Sequence, residues 1–421
     1  MFDLLKQSNN LRQIVLANLF SSFGRGMVLI GISWYMVEES GQAGPLGITM
    51  LISTLLMIII GPNLGIVIDK FSRKRILITE NVFGSLVLFI FSILFLNIDQ
   101  ISIITLTIIY IISMLISQIH FPTQSALVQE LFDSSEYQEV NSTLEVQNQV
   151  AQVLAGALAG LLLTNFSLTV VLLITSITYF IAFIFLLFVK YEFNNADVEI
   201  TSNKLGWVKK LTYGLKFVCK KKNFLVFGMS VFVPFIILMV GNLLAPVYVS
   251  LDINESVTIF SMGELAYALG AVFAGLLVIV ILKRVSQKGF LVVNILIFAT
   301  LLTIMVIWGQ GWFFILTYFY LGWTVASTRL VSQTIFMNIV PKYIMGRVLT
   351  ALDMLALIVR VILLITFTII LDFLSAGIGY LLLSVISIIA AVGIFISFNK
   401  VHTEKNEFYN NSPLQNKDFK A

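Results

Sequence analysis

The 421-residue sequence has one cysteine, Cys219, two histidines, His120 and His402, and seven prolines. A single thiol excludes an internal disulfide and cannot build a thiolate metal site. The two histidines stand far apart and form no metal-ligand spacing. There is no phosphate-binding glycine loop followed by Lys-Ser/Thr, and no Ser-His-Asp order suggestive of hydrolysis. No cofactor is therefore expected, and the chain does not read as an enzyme. Charge is the scarcest property. Only 11% of residues are Asp, Glu, Lys or Arg, against about 25% in an ordinary soluble domain.

What fills the chain instead is apolar: 58% of residues are hydrophobic. No water-soluble fold covers that much apolar surface with so little polar material, so the expected solvent and partner is a lipid bilayer. In hydrocarbon only internally bonded helices of about 20 apolar residues satisfy the backbone. Spans are expected near 12–37, 45–68, 74–96, 101–121, 141–165 and 168–190, then 223–249, 256–282, 286–308, 312–333, 344–372 and 375–398. The fold class is an all-α membrane protein with twelve transmembrane helices in two six-helix halves. Its parts are an N-terminal half at 1–190, a basic linker at 191–222, a C-terminal half at 223–398 and a polar tail at 399–421. Lys6 and Arg12 before the first apolar run resemble a signal peptide, but that run is too long and lacks a small-residue cleavage site. It reads as an uncleaved first span.

The few charges segregate by loop. Lys70, Arg73, Lys74 and Arg75 follow span two, Lys190 and the lysines from Lys204 to Lys222 follow span six, Lys283, Arg284 and Lys288 follow span eight, and Lys342 and Arg347 follow span ten. The opposite loops hold Glu38, Glu39, Asp99, Asp252, Glu255 and Asp372 and no basic residue. The positive-inside rule places both termini and the linker in the cytosol. The net charge of +4 thus follows topology, and no nucleic-acid partner is expected. Within the linker Leu205, Val208, Leu211, Leu215 and Val218 recur at helical spacing among lysines. That pattern fits either a helix lying on the inner membrane surface or a plain basic linker. The basic stretch at 70–74 is echoed at 284–288 after the matching span of the second half, as duplication would leave it.

Residues 61–75 carry a further pattern: Gly65, Asp69, Lys70, Arg73 and Lys74 fall at the spacing Gly, three residues, Asp, basic, two residues, basic, basic. This resembles the loop motif between spans two and three of the major facilitator superfamily, with Ser72 where a second glycine is usual. The resemblance implies the major facilitator fold and a cytosolic gate at these five residues. The alternative is that the basic residues only enforce topology. Phe121 to Val128, the acidic run Glu130, Asp133, Glu136 and Glu139, the stretch Ser261 to Gly270 and Pro341 to Val348 are similar to the macrolide-efflux branch, the third class of drug:proton antiporters. Ala155 to Gly160 replaces the proline-containing Gly-Pro-x-x-Gly-Gly stretch of many antiporters in span five, and Arg25 stands where many relatives have an acidic or small residue.

Charges inside spans cost on the order of 3 kcal/mol at the bilayer centre. Glu80, Glu145 and Arg329 lie near cytosolic ends and are read as structural, Glu80 pairing with the basic loop. Arg25, Glu264, Asp353 and Arg360 lie deeper. Each is either an interhelical ion-pair member or a functional group: Glu264 and Asp353 as proton-coupling candidates, Arg25, Asn242 and Arg360 as substrate-cavity candidates. Glu264 is about eight residues into span eight, roughly 12 Å at helical rise. Pro234, Gly241, Asn242 and Pro246 are expected to interrupt span seven. Glu145, Asn148, Gln149 and Gln152 share a face of span five, consistent with a wet vestibule. Trp34, Tyr35, Trp308 and Trp312 read as interfacial belt residues.

The resemblance implies secondary efflux of an amphipathic small molecule or drug across a plasma membrane, with the proton as coupling ion and a bacterial source. Export of an endogenous anionic metabolite such as a siderophore, which the arginines favour, is the second transport reading. A transport-incompetent receptor is the reading from another class. The topology is testable with the native thiol: Cys219 should react with an impermeant reagent only in inside-out vesicles, whereas Asp252→Cys should react on intact cells. Labelling of Cys219 from outside overturns the assignment.

Overall fold

The computed structural model describes residues 5, 7–96, 98, 101–133, 136–191, 218, 219, 221–340, 345–371 and 374–403, with side chains described except at 61–66, 69, 70, 138, 142, 345–347, 402 and 403. Most of the 191–222 linker, most of the 399–421 tail, Asp99, Asp372 and residues 341–344 of the 341–348 motif lie outside the described residues.

Twelve long α-helices are present among the described residues: α1 (Asn9–Ser40), α2 (Gly44–Lys70), α3 (Arg73–Phe95), α4 (Ile103–Leu131), α5 (Tyr137–Asn165), α6 (Leu168–Leu187), α7 (Lys222–Val247), α8 (Val257–Leu282), α9 (Gln287–Trp308), α10 (Gly311–Ile339), α11 (Met345–Ile370) and α12 (Ala376–Thr403). Ten described segments are long and apolar enough to cross a membrane. The all-α, twelve-helix expectation is met helix for helix. Starts are marked where polar residues allow it. Ser8 accepts from Leu11 N at 3.2 Å, Ser72 from Arg75 N at 3.4 Å and Ser286 from Gly289 N at 3.1 Å, each relieving one orphan donor of a first turn. Stops after α1 and α9 use Gly41 at φ +62° and Gly309 at φ +57°, where a side chain would be strained.

Two expectations about where helices stop are corrected. Span four was expected to end near 121, yet α4 continues through Pro122 to Leu131. Span seven was expected to be interrupted, yet α7 is continuous through Pro234 and Gly241 to Val247, followed by a π-helical turn at Tyr248–Asp252. A proline removes one backbone bond, but in an apolar helix the remaining ladder has no better partner to turn to.

The chain forms two compact units. The first comprises Met1–Asn203, Leu243–Ala268 and Leu364–Leu374; the second comprises Lys204–Asn242, Leu269–Leu363 and Ser375–Ala421. In the first, α6 packs along α1 and α3, α5 along α1, and α4 against α2 and α3. A Cβ on Gly24 would sit 2.2 Å from Thr178 Oγ1, so α1 and α6 approach closely there. Ser85 and Ser176 each donate to the other's carbonyl, at 2.9 and 2.8 Å, joining α3 to α6. A core of Leu11, Ile14, Leu77, Leu127, Val140 and Leu186 fills one end of this unit.

In the second unit α9 packs on α10 and α12. Asn294 of α9 is its polar hub: it donates to Ser327 Oγ at 3.0 Å and accepts from Tyr320 at 3.1 Å and Trp323 at 3.0 Å, all on α10. Phe224, Phe227, Phe336, Leu352 and Ile394 form the adjoining core. Outward-facing positions remain apolar, with Leu276, Ile279 and Ile307 67%, 68% and 71% exposed, as a lipid-facing surface requires.

A tight backbone approach lies at Gly270, where a Cβ would meet the Phe319 carbonyl oxygen at 1.9 Å. Gly270→Ala is expected to destabilise by about 2 kcal/mol or more, because backbone rather than a flexible side chain must move. Gly275→Ala, where nothing lies within 4 Å, should be neutral or stabilising. Thermal unfolding of the purified protein in detergent compares the two.

Candidate functional site

The polar residues of α1 lie one turn apart: Asn18, Ser21, Ser22 and Arg25, all buried. Ser22 lines a cavity of about 180 Å³ together with Phe121, Gln124 and Ser125 of α4 and Asn141, Glu145, Gln147 and Asn148 of α5. Amides, hydroxyls and one carboxylate thus converge among apolar helices. Gln147 Nε2 and Asn148 Oδ1 are buried atoms without a hydrogen-bond partner, while Glu145 accepts from Gln149 at 2.9 Å. Unmet amides in such a setting are donors and acceptors awaiting water or a ligand.

Behind Ser22, Arg25 donates from Nη2 to Ser22 Oγ at 2.9 Å and sets its guanidinium 5.1 Å over the Phe121 ring. Its Nη1 has no partner. Arg25 thus touches two residues that line the cavity without lining it itself. Its charge also reaches Tyr179 of α6 and Glu80 of α3. Glu80 does not pair with the basic loop: it is buried and bonds His120 Nδ1 of α4 at 2.5 Å. Two turns into α3 the carboxylate faces the helix interface rather than the membrane surface, which corrects the expectation.

The remaining site candidates are dispersed. Glu264 is partly buried on α8, beside the close approach of Gly156 on α5, where a Cβ would lie 3.3 Å from Glu264 Cβ. No hydrogen bond or ion pair joins Glu264 among the described residues. In the second unit Asp353 is exposed, within electrostatic reach of Arg329, and Arg360 is buried. Asp353 and Arg360, both on α11, thus lie in different environments. Asn242 is exposed. Trp34, expected in an interfacial belt, is 3% exposed: it stacks on Phe260 at 5.5 Å and donates to Glu38 at 2.8 Å. Trp308 and Trp312 are exposed, as a belt requires. Among the described residues no three His, Cys, Asp or Glu side chains could hold a metal ion.

Of the gate motif, the side chains of Asp69 and Lys70, and the surroundings of Gly65, lie outside the described residues. Arg73 Nε pairs with Glu130 Oε1 at 3.3 Å, and Tyr191 donates its hydroxyl to Glu130. Lys74 Nζ caps the end of α6, reaching Leu187 O at 3.0 Å and Val189 O at 2.7 Å. Arg73 and Lys74 thus tie the start of α3 to the ends of α4 and α6. Burial, then the bond to the Glu130 carboxylate, pushes the Tyr191 phenol above its ordinary range.

The sequence profile described as Major Facilitator Superfamily matches residues 14–278. The chain belongs to the major facilitator superfamily. No curated protein matches at the sequence level. Solved structures share the fold. The nucleoside transporter NupG is 13% identical at a TM-score of 0.71, with 93% of this chain and 99% of that one covered. A D-xylose-proton symporter is 14% identical at a TM-score of 0.68, covering 91% and 97%. A bacterial homologue of the iron transporter ferroportin is 14% identical at 0.66, covering 93% and 98%. As a superfamily member the chain is an integral membrane transporter of secondary type, a class that carries small molecules and does not in general comprise enzymes.

Reasoning from sequence missed the Glu80–His120 pair and Gln147. Asn18, Ser22 and Arg25 recur at steps of four and three residues, a polar stripe that marks the cavity side of α1. The Arg73–Glu130 pair is partly exposed (13% and 36%), so its coupling energy should be about 1 kcal/mol or less. A double-mutant cycle of Arg73→Ala and Glu130→Ala by chemical unfolding in detergent measures it. Because the raised phenol stays protonated below about pH 10, the part carried by Tyr191 is fully present there and lost only at higher pH. Weakening of that contact between about pH 6 and 9 would contradict this.

Proposed function

We propose that the protein exports an amphipathic small molecule or drug by proton antiport, through alternating access of two six-helix halves. On this reading it resides in a bacterial plasma membrane with both termini in the cytosol. The α1–α4–α5 cavity is the observation that carries the reading. Phe121 and Leu144 supply an apolar wall, and Gln124, Gln147, Asn148 and Glu145 a polar one. An amphipathic molecule needs both faces. Secondary transport without a nucleotide loop draws on an ion gradient. Glu264, without a bonded partner at partial burial, is a carboxyl able to exchange a proton, and Asp353 is the reserve candidate. The likeness to the macrolide-efflux branch at 121–128 and 261–270 points in the same direction.

A second reading, export of an anionic metabolite such as a siderophore, is favoured by Arg25, whose Nη1 has no partner. Inside-out vesicles with an acidic interior and labelled erythromycin as probe separate these. Wild-type protein should accumulate the macrolide, and Glu264→Gln should retain counterflow but lose gradient-driven accumulation. Accumulation at the wild-type level in that variant removes Glu264 from coupling and moves attention to Asp353. Absence of any macrolide movement, with loss of siderophore release in cells lacking the protein, favours the anionic substrate. A transport-incompetent receptor would show neither counterflow nor a deletion phenotype in export.

A further inference from the structure

Four polar side chains from four helices meet inside the first unit: Arg25 of α1, Glu80 of α3, His120 of α4 and Tyr179 of α6. They are 5%, 7%, 1% and 1% exposed, so bulk water does not stabilise their charges. Their bonding is incomplete. Glu80 holds His120 Nδ1 through Oε1 at 2.5 Å, while Glu80 Oε2, His120 Nε2, Arg25 Nη1 and the Tyr179 hydroxyl have no partner. The one carboxylate therefore has two cationic candidates, and in this structure it holds His120. Arg25 is left on neutral partners, Ser22 and the Phe121 ring. The Arg25 guanidinium lies within electrostatic reach of Glu80 without bonding it, so an exchange of partners needs only a local side-chain change.

We propose that Glu80 and His120, with Arg25, form a proton-binding site that nothing in the gate motif or the α8 and α11 carboxylates accounts for. The inference rests on the proton-coupled reading above. With the proton bound, imidazolium and carboxylate pair, and Arg25 stays on Ser22 and Phe121, both of which line the cavity. On release, His120 gives one proton to water and becomes neutral. Glu80 remains a carboxylate and turns to Arg25; no bond between heavy atoms forms or breaks. Arg25 then leaves Ser22 and Phe121, so proton loss frees two residues that line the cavity. The charged and titratable groups facing the pair are Arg25 from α1 and Tyr179 from α6; from α5, Glu145 stands at the cavity. Glu80→Gln, His120→Gln and Arg25→Gln each remove one participant.

Because the chain has only two histidines, ¹⁵N-histidine labelling of reconstituted protein carrying His402→Ala reports His120 alone. Its imidazole signals should switch reversibly between imidazolium and neutral forms as the pH is changed. Glu80→Gln should alter that response, because the imidazolium loses its carboxylate partner. Arg25→Gln should alter it too, which keeps the test decisive if the first variant does not fold. Signals fixed at every pH, or a response unchanged in both variants, overturn the proposal. A titrating His120 in protein that shows no gradient-driven erythromycin uptake removes the macrolide-antiport reading while the proton site stands. Coupled uptake with an invariant His120 does the reverse.

Discussion

Hydrocarbon offers no hydrogen-bond partner, and every polar choice in this molecule follows from that constraint. Hydroxyls inside the helices mostly return to their own backbone: Thr54 donates to Met50 O at 2.7 Å, Ser113 to Ile109 O at 2.9 Å and Ser387 to Leu383 O at 2.9 Å. Others staple neighbours, as Ser384 does in donating to Ala299 O at 2.8 Å between α12 and α9. Van der Waals contact supplies the rest, through glycines that admit a neighbouring helix without a gap. Unmet buried atoms remain elsewhere, as at Asn81, Ser261, Thr324 and Thr368, but those of Arg25, Glu80, His120 and Tyr179 come from four neighbouring helices.

The helices themselves were legible because length and apolarity are one-dimensional properties. Twelve runs of the right length sufficed, and the charged loops between them agreed. Prolines were misjudged for a related reason. In water Pro122 or Pro234 would open a helix to solvent, but among apolar neighbours the freed carbonyl gains nothing by leaving the ladder. The rule that breaks helices in soluble proteins is weaker here.

The site was less legible because azimuth is not written in helices that are apolar all round. Depth along a span singled out Arg25 and Glu264 as candidates, but it could not say that Glu80 turns toward His120 rather than toward the basic loop. Trp34 failed in the same way: its depth suits an interfacial belt, while its face is covered by Phe260. Where several polar residues recur on one helix, as Asn18, Ser22 and Arg25 do, the face is marked and sequence alone can find it. Single polar residues such as Gln147 carry no such mark.

The joint between α9 and α10 consists of Gly309 and Gln310 alone, with Trp308 stacked on Phe313 across it at 5.1 Å. α9 is among the most apolar spans, whereas α10 falls short of the apolarity that marks a self-sufficient span. Its tyrosine, tryptophan and serine meet Asn294 on α9. During biogenesis α10 thus has little reason to leave the translocon for lipid by itself. A two-residue joint allows α9 to draw it in as a hairpin, its polar groups already matched, so the order of membrane insertion is built into this short connection of the second unit.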